Sequence, residues 1–132
     1  MARTYVPADL TLHDPTSLAW ALAWARRMAG DVPTEGGAWA PTSLADEEWQ
    51  GWLKATSVTA NAVTYYRPHE AAARALESDP RRLLALNLGG VSQQYRDPAQ
   101  VAAQIRAAGG WVDELIRQRS GASPVKELWP VF

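Results

Sequence analysis

Residues 16–31 read TSLAWALAWARRMAGD, and the conformation of this run decides the fold. Leu18, Leu22, Ala25 and Ala29 recur every three to four residues, the spacing that lines apolar side chains along one face of an α-helix. Asp14-Pro15 stands just before the run. A carboxylate there can accept from the unpaired N–H groups of a first helical turn, and proline fits the first position, where no N–H is needed. Gly30 is placed to end the run. A helix over about 15–29 is therefore expected. The same dipeptide recurs at Asp79-Pro80 and Asp97-Pro98, marking two more helix starts.

Downstream, DVPTEGGAWAPTS at 31–43 is rich in proline and glycine and reads as a loop. Ser43 followed by Asp46 resembles a capping box, opening a second helix through Trp49, Trp52 and Leu53. Residues 56–66, TSVTANAVTYY, carry the β-branched and tyrosine residues of an extended segment, with a helical second half as the alternative. The alanine-rich PHEAAARALESD from Pro68 is a strong helix former, which Asp79-Pro80 either breaks or restarts as PRRLLALNL. In the last helix Val101, Ile105, Ala108, Val112 and Leu115 form one stripe, with Arg106, Asp113 and Arg117 opposite. That helix is expected to continue through Gly109-Gly110 with a bend or a close packing contact. Between helices, Val91-Ser92-Gln93-Gln94-Tyr95 alternates like a strand. The whole reads as one mainly α domain, a small bundle of about four to five helices with a short β element. An N-terminal arm (1–14) and an extended tail (120–132) flank a helical core at 15–119.

Composition excludes more than it assigns. With 47% hydrophobic and 20% charged residues the 132-residue chain should fold, and a net charge of −1 gives it no overall attraction to nucleic acid or an anionic membrane. Cysteine is absent, so thiol catalysis, disulfides and thiolate metal sites are excluded. No apolar run reaches membrane-spanning length, and the N-terminus lacks a signal peptide's apolar stretch. His13 and His69 sit apart at helix starts and read as polar surface residues. The acidic trio Asp46, Glu47 and Glu48 suits the positive end of a helix dipole, with acid–base work or cation binding as alternatives. Arg26-Arg27 and Arg81-Arg82 read as solvated faces rather than phosphate contacts. No nucleophile–base or metal constellation, and no cofactor motif, is visible.

Seven tryptophans are many for this length. Trp20 and Trp24 lie one turn apart, on a side of the first helix different from the Leu18–Leu22 stripe, so that helix is apolar on two faces. Either it is sandwiched inside the monomer or part of it meets another chain. In the tail PVKELWPVF, prolines 124 and 130 oppose a helix, and Trp129, Val131 and Phe132 need a groove. That groove lies on another chain or, if the tail folds back, on the tryptophan-bearing surface of the first helix.

The order of motifs is more specific than any one of them. A helix ending in RRMAGD, a loop, a helix start at SLADEEW, YYRPHEAAARAL, the short GGVSQQYRD and a final amphipathic helix together resemble the small head–tail connector, or adaptor, proteins of tailed double-stranded DNA bacteriophages. The resemblance covers roughly residues 16–119. The sequence departs from the pattern at Pro80, where a longer helix is usual, and at Ala45, where a capping side chain is usual. The resemblance implies a mainly helical, non-enzymatic virion protein of the phage neck, assembled in the host cytoplasm and needing no cofactor. It implies a ring of identical subunits, expected to be a dodecamer, that sits below the portal protein, meets the next neck or tail-completion protein, and passes DNA without reading its sequence. Subunits would then meet through Val91, Gln93 and Tyr95, whose strand-like segment can pair with a neighbour, and through Trp20, Trp24, Trp129, Val131 and Phe132. Pairing of that segment with 56–64 or with Thr4–Val6 of the same chain is the alternative. Asp46, Glu47 and Glu48 are candidates for facing the channel, where a densely basic wall would retain phosphates. The rival reading is a small helical DNA-binding or regulatory protein that uses the arginine pairs.

Overall fold

The computed structural model describes residues 2–82 and 97–120, which form a mainly helical domain with one small antiparallel sheet. A 3-10 helix at Pro7–Thr11 precedes α1 (Leu18–Ala29), α2 (Asp46–Ala55), β1 (Val58–Ala60), β2 (Val63–Tyr65), α3 (Pro68–Ser78), α4 (Pro98–Ala108) and α5 (Gly110–Ser120). Residues 80–82 turn helical again after Asp79. Val91, Gln93, Tyr95, Trp129, Val131 and Phe132 lie outside the described residues.

α1 starts at Leu18, three residues later than the Asp14-Pro15 signal suggests. The Asp14 carboxylate instead closes a local turn, accepting from Thr16 N–H (3.0 Å) and Oγ1 (2.6 Å). Ser17 takes over as cap and accepts from Trp20 N–H at 3.2 Å. The C-terminus falls where the glycine puts it. Gly30 is left-handed at φ 79° and its N–H reaches the carbonyls of Arg26 and Arg27.

The two apolar faces of α1 are accounted for inside the monomer. The 3-10 helix, α2 and α3 all pack on it, and Trp20, Ala21, Ala23, Ala25 and Ala29 are buried. α3 is enclosed in the same way, with Ala71, Ala72, Ala73, Ala75 and Leu76 all buried between α1, α2 and α4. The alanines favour helix and, being short, let neighbouring backbones approach closely.

Residues 58–65 form a hairpin that pairs Val58 with Tyr65, Thr59 with Thr64 and Ala60 with Val63. Its turn puts Asn61 (φ 54°) and Ala62 (φ 65°) at positive φ, as a two-residue turn between right-twisted strands requires. The extended reading of 56–66 therefore holds, and the helical alternative for its second half does not. The N-terminal arm is docked rather than free. Asp46 N–H donates to Ala2 O at 2.9 Å, and Thr4 donates to the Asp46 carboxylate through N–H (2.8 Å) and Oγ1 (2.6 Å).

The last helix does not run through its glycines. It stops at Ala108 and resumes at Gly110, so the buried side is Val101, Ala102 and Ile105, then Val112 and Ile116. Ala108 is exposed and Leu115 only half-buried, which corrects the continuous stripe. The cause is a close approach. A Cβ on Gly109 would lie 2.1 Å from His69 Cβ and 2.5 Å from Cγ. Gly109→Ala must push α3 and the α4–α5 junction apart, so it should lower stability by about 1–3 kcal/mol, measured by urea unfolding.

Candidate functional site

Two charged assemblies organise the domain. The first surrounds Arg26, whose side chain is 0% exposed although its position beside Arg27 reads as a solvated face. Arg26 Nη1 donates to Asp31 Oδ2 (3.0 Å) and Nη2 to Asp46 Oδ1 (2.7 Å), while its guanidinium lies over Trp39, 4.7 Å from the ring centroid. Asp31 Oδ2 also accepts from Leu44 N–H (3.0 Å) and Trp49 Nε1 (2.9 Å). One arginine thus joins the end of α1 to the loop and to the start of α2.

This geometry corrects the acidic trio. Burial works against the charge of Asp46, but bonds from Thr4 and Arg26 outweigh it and hold its carboxyl below the usual range. Asp46 is buried, with its carboxylate taken up by Thr4 and Arg26. Glu48 caps α2 by accepting from Ala45 N–H at 3.0 Å, and it pairs with Arg82 Nη1 at 2.8 Å. That is the carboxylate half of a capping box; Ala45 supplies no side-chain acceptor, and Ser43, expected as the cap, is buried two residues earlier. Glu47 alone of the three is exposed. Arg82 also donates to Thr42 O (2.6 Å) and Ser43 O (2.7 Å), closing a cleft of about 190 Å³ between α2 and α3.

The second assembly lines an open cleft of about 540 Å³ formed by Arg67, His69, Glu70, Arg74, Arg106, Ala107 and Asp113. Asp113 on α5 accepts from Arg67 Nε (2.8 Å) and Nη2 (3.1 Å), and His69 Nε2 lies 3.2 Å from its Oδ2. Burial raises the Asp113 pKa, but the His69 and Arg67 bonds prevail and hold it at about 2. At neutral pH the carboxylate can only accept, so His69 carries a proton on Nε2. Glu70 receives Arg74 Nε (3.1 Å) and Arg106 Nη2 (2.9 Å), and Arg106 extends to Glu77 (2.8 Å). His69 is 2% exposed, not the surface residue its place at a helix start suggests. Sequence reading also sets Arg106 and Asp113 on a solvated side. The available signal is that His69 and Glu70 begin a helix whose alanines are buried all round, so polar groups there need partners.

The cleft's chemistry is that of a weld. Its carboxylates accept from arginines of neighbouring elements, fixing α3 against α4 and α5. Among the described residues no cluster of three or more His, Asp or Glu is arranged to hold a metal ion. Of the predicted contact residues, Trp20 is fully buried, with its ring 6.1 Å from Trp111 edge to face, so it belongs to this chain's core and not to an interface. Trp24 is half-buried, 5.0 Å from Trp111, and donates Nε1–H to Leu10 O at 3.0 Å. Comparison of the chain with protein families, with curated proteins and with solved structures gives no match.

Removing Arg26 alone leaves Asp31 as an enclosed charge, so Arg26→Met should cost about 3–5 kcal/mol in denaturant unfolding. The weld gives a pH signature. Asp113 is depressed in the folded state, so its contribution is complete above the ordinary carboxylate value near 3.8 and is lost as pH falls towards about 2. Asp113→Asn should remove roughly 2 kcal/mol at pH 7 and flatten the acid limb of stability between these values, read from melting temperatures across pH.

Proposed function

We propose that this chain is a structural ring component of the neck of a tailed double-stranded DNA bacteriophage. The observation that carries this reading is the order and spacing of motifs over residues 16–119, on a domain that is mainly helical with a short β element. The hairpin adds support. Among the described residues its sheet has two strands, so each strand offers one outer edge to an added segment such as 91–95 of a neighbour. Val63, 39% exposed, lies on one of these strands.

Subunits sit side by side below the portal, and the lumen carries DNA past polar and acidic side chains without sequence recognition. Glu47 is the member of the acidic trio that remains available for that wall. The arginine pairs offer less to the rival DNA-binding reading than their sequence suggests, because Arg26 is enclosed and Arg82 is bound to Glu48. Arg27 and Arg81 remain exposed.

Sedimentation of the purified protein, alone and mixed with portal rings, tests the reading. Portal-dependent rings are expected, with no strongly salt-dependent affinity for free DNA. Replacing Val91 and Tyr95 with proline should abolish assembly while leaving helical circular dichroism unchanged. Unaltered assembly of that variant would overturn the role of 91–95, and failure to bind any portal would overturn the neck assignment.

A further inference from the structure

α5 opens on Trp111, which is 38% exposed although two other tryptophans touch it. Trp24 is half-buried beside it, with Arg27 over its ring at 5.9 Å, and the Trp24 indole bonds Leu10 O. Two residues beyond Leu10, Leu12 is 49% exposed. This aromatic face is bordered by residues 10–13, the stretch to which the far end of α5 is tied. Arg119 Nη2 donates to His13 O at 2.8 Å, and Asn61 Nδ2 approaches Ser120 O at 3.5 Å. The chain therefore leaves α5 at a fixed point beside the border of the face.

We propose that the face is the seat of this chain's own segment 124–132, with Trp129 and Phe132 as its anchors. The lengths agree. Trp111 lies nine residues before Ser120, about 14 Å along a helix. Trp129 lies nine residues after it, a reach of up to about 30 Å for extended chain. A reversal at Gly121 brings the tail back over Trp111 with slack, and Pro124 and Pro130 keep it from continuing as helix. A tether this short holds the aromatic residues near the face at an effective concentration of the order of millimolar, which favours the chain's own tail over another copy in dilute solution. The inference concerns the free subunit and stands without the ring.

The chain has no cysteine, so a designed pair is unambiguous. Thr11→Cys with Val131→Cys, both outside the aromatic anchors, should oxidise in dilute solution to an intramolecular disulfide seen as a faster-migrating monomer. Adding Trp129→Ser to the pair should slow closure about tenfold or more. Trp111→Ala in the same background should slow it likewise. Disulfide-linked dimers as the main product would overturn the proposal in favour of a second copy as occupant. Closure at an unchanged rate in the Trp129→Ser background would overturn it too, as would no closure at all.

Discussion

The enclosed guanidinium of Arg26 is the constraint on which the rest of the domain depends. A cation removed from water is tolerable only when anions and other acceptors complete its surroundings, and Arg26 has Asp31 and Asp46 for this purpose. Asp31 in turn holds Leu44 N–H and the Trp49 indole, so the 31–43 loop closes against α1 and α2 is delivered at a fixed angle of approach. Asp46 then captures Thr4 and places the N-terminal arm. Directional bonds here do what apolar contact alone cannot, since greasy surfaces among alanines and leucines have many near-equivalent packings.

The second charged assembly completes the division of labour. Small side chains on α1 and α3 let helices come close, and closeness leaves no room for error at the α4–α5 junction, where only a glycine clears His69. The Arg67–Asp113–His69 and Glu70–Arg106 groups then fix that junction from the outside. The mainly helical domain is thus held by apolar contact in its centre and by ion pairs on two sides.

Much of this was legible in the residues. Helical spacing, the Gly30 stop, the proline-rich loop, the Pro68 start and the extended character of 56–66 all depend on local chemistry, and each is found. What escaped is non-local. Asp14-Pro15 reads like Asp97-Pro98, but Asp97 caps its helix through Ala99 N–H, whereas Thr16 captures Asp14. His69, Asp46 and Asp113 look like surface residues because their partners lie far away in sequence, and Arg26 does so although Asp31 is only five residues on. The break at Gly109 depends on a side chain 40 positions earlier, which no helical pattern contains. The contact residues at 91–95 and 129–132 follow from the resemblance and the tail's composition, while Trp20 shows that an aromatic on a second helix face can belong to the core.

The tryptophan cluster has an optical consequence. The Trp111 ring stands 5.0 Å from Trp24 at an interplanar angle of 67° and 6.1 Å from Trp20 at 89°, close enough for their transition dipoles to mix. Such a cluster splits the ultraviolet absorption of its members into paired bands of opposite circular dichroism. It joins α1 to the first turn of α5, so that signal includes a long-range contact between them. The domain carries its own chromophore for following when its two ends meet.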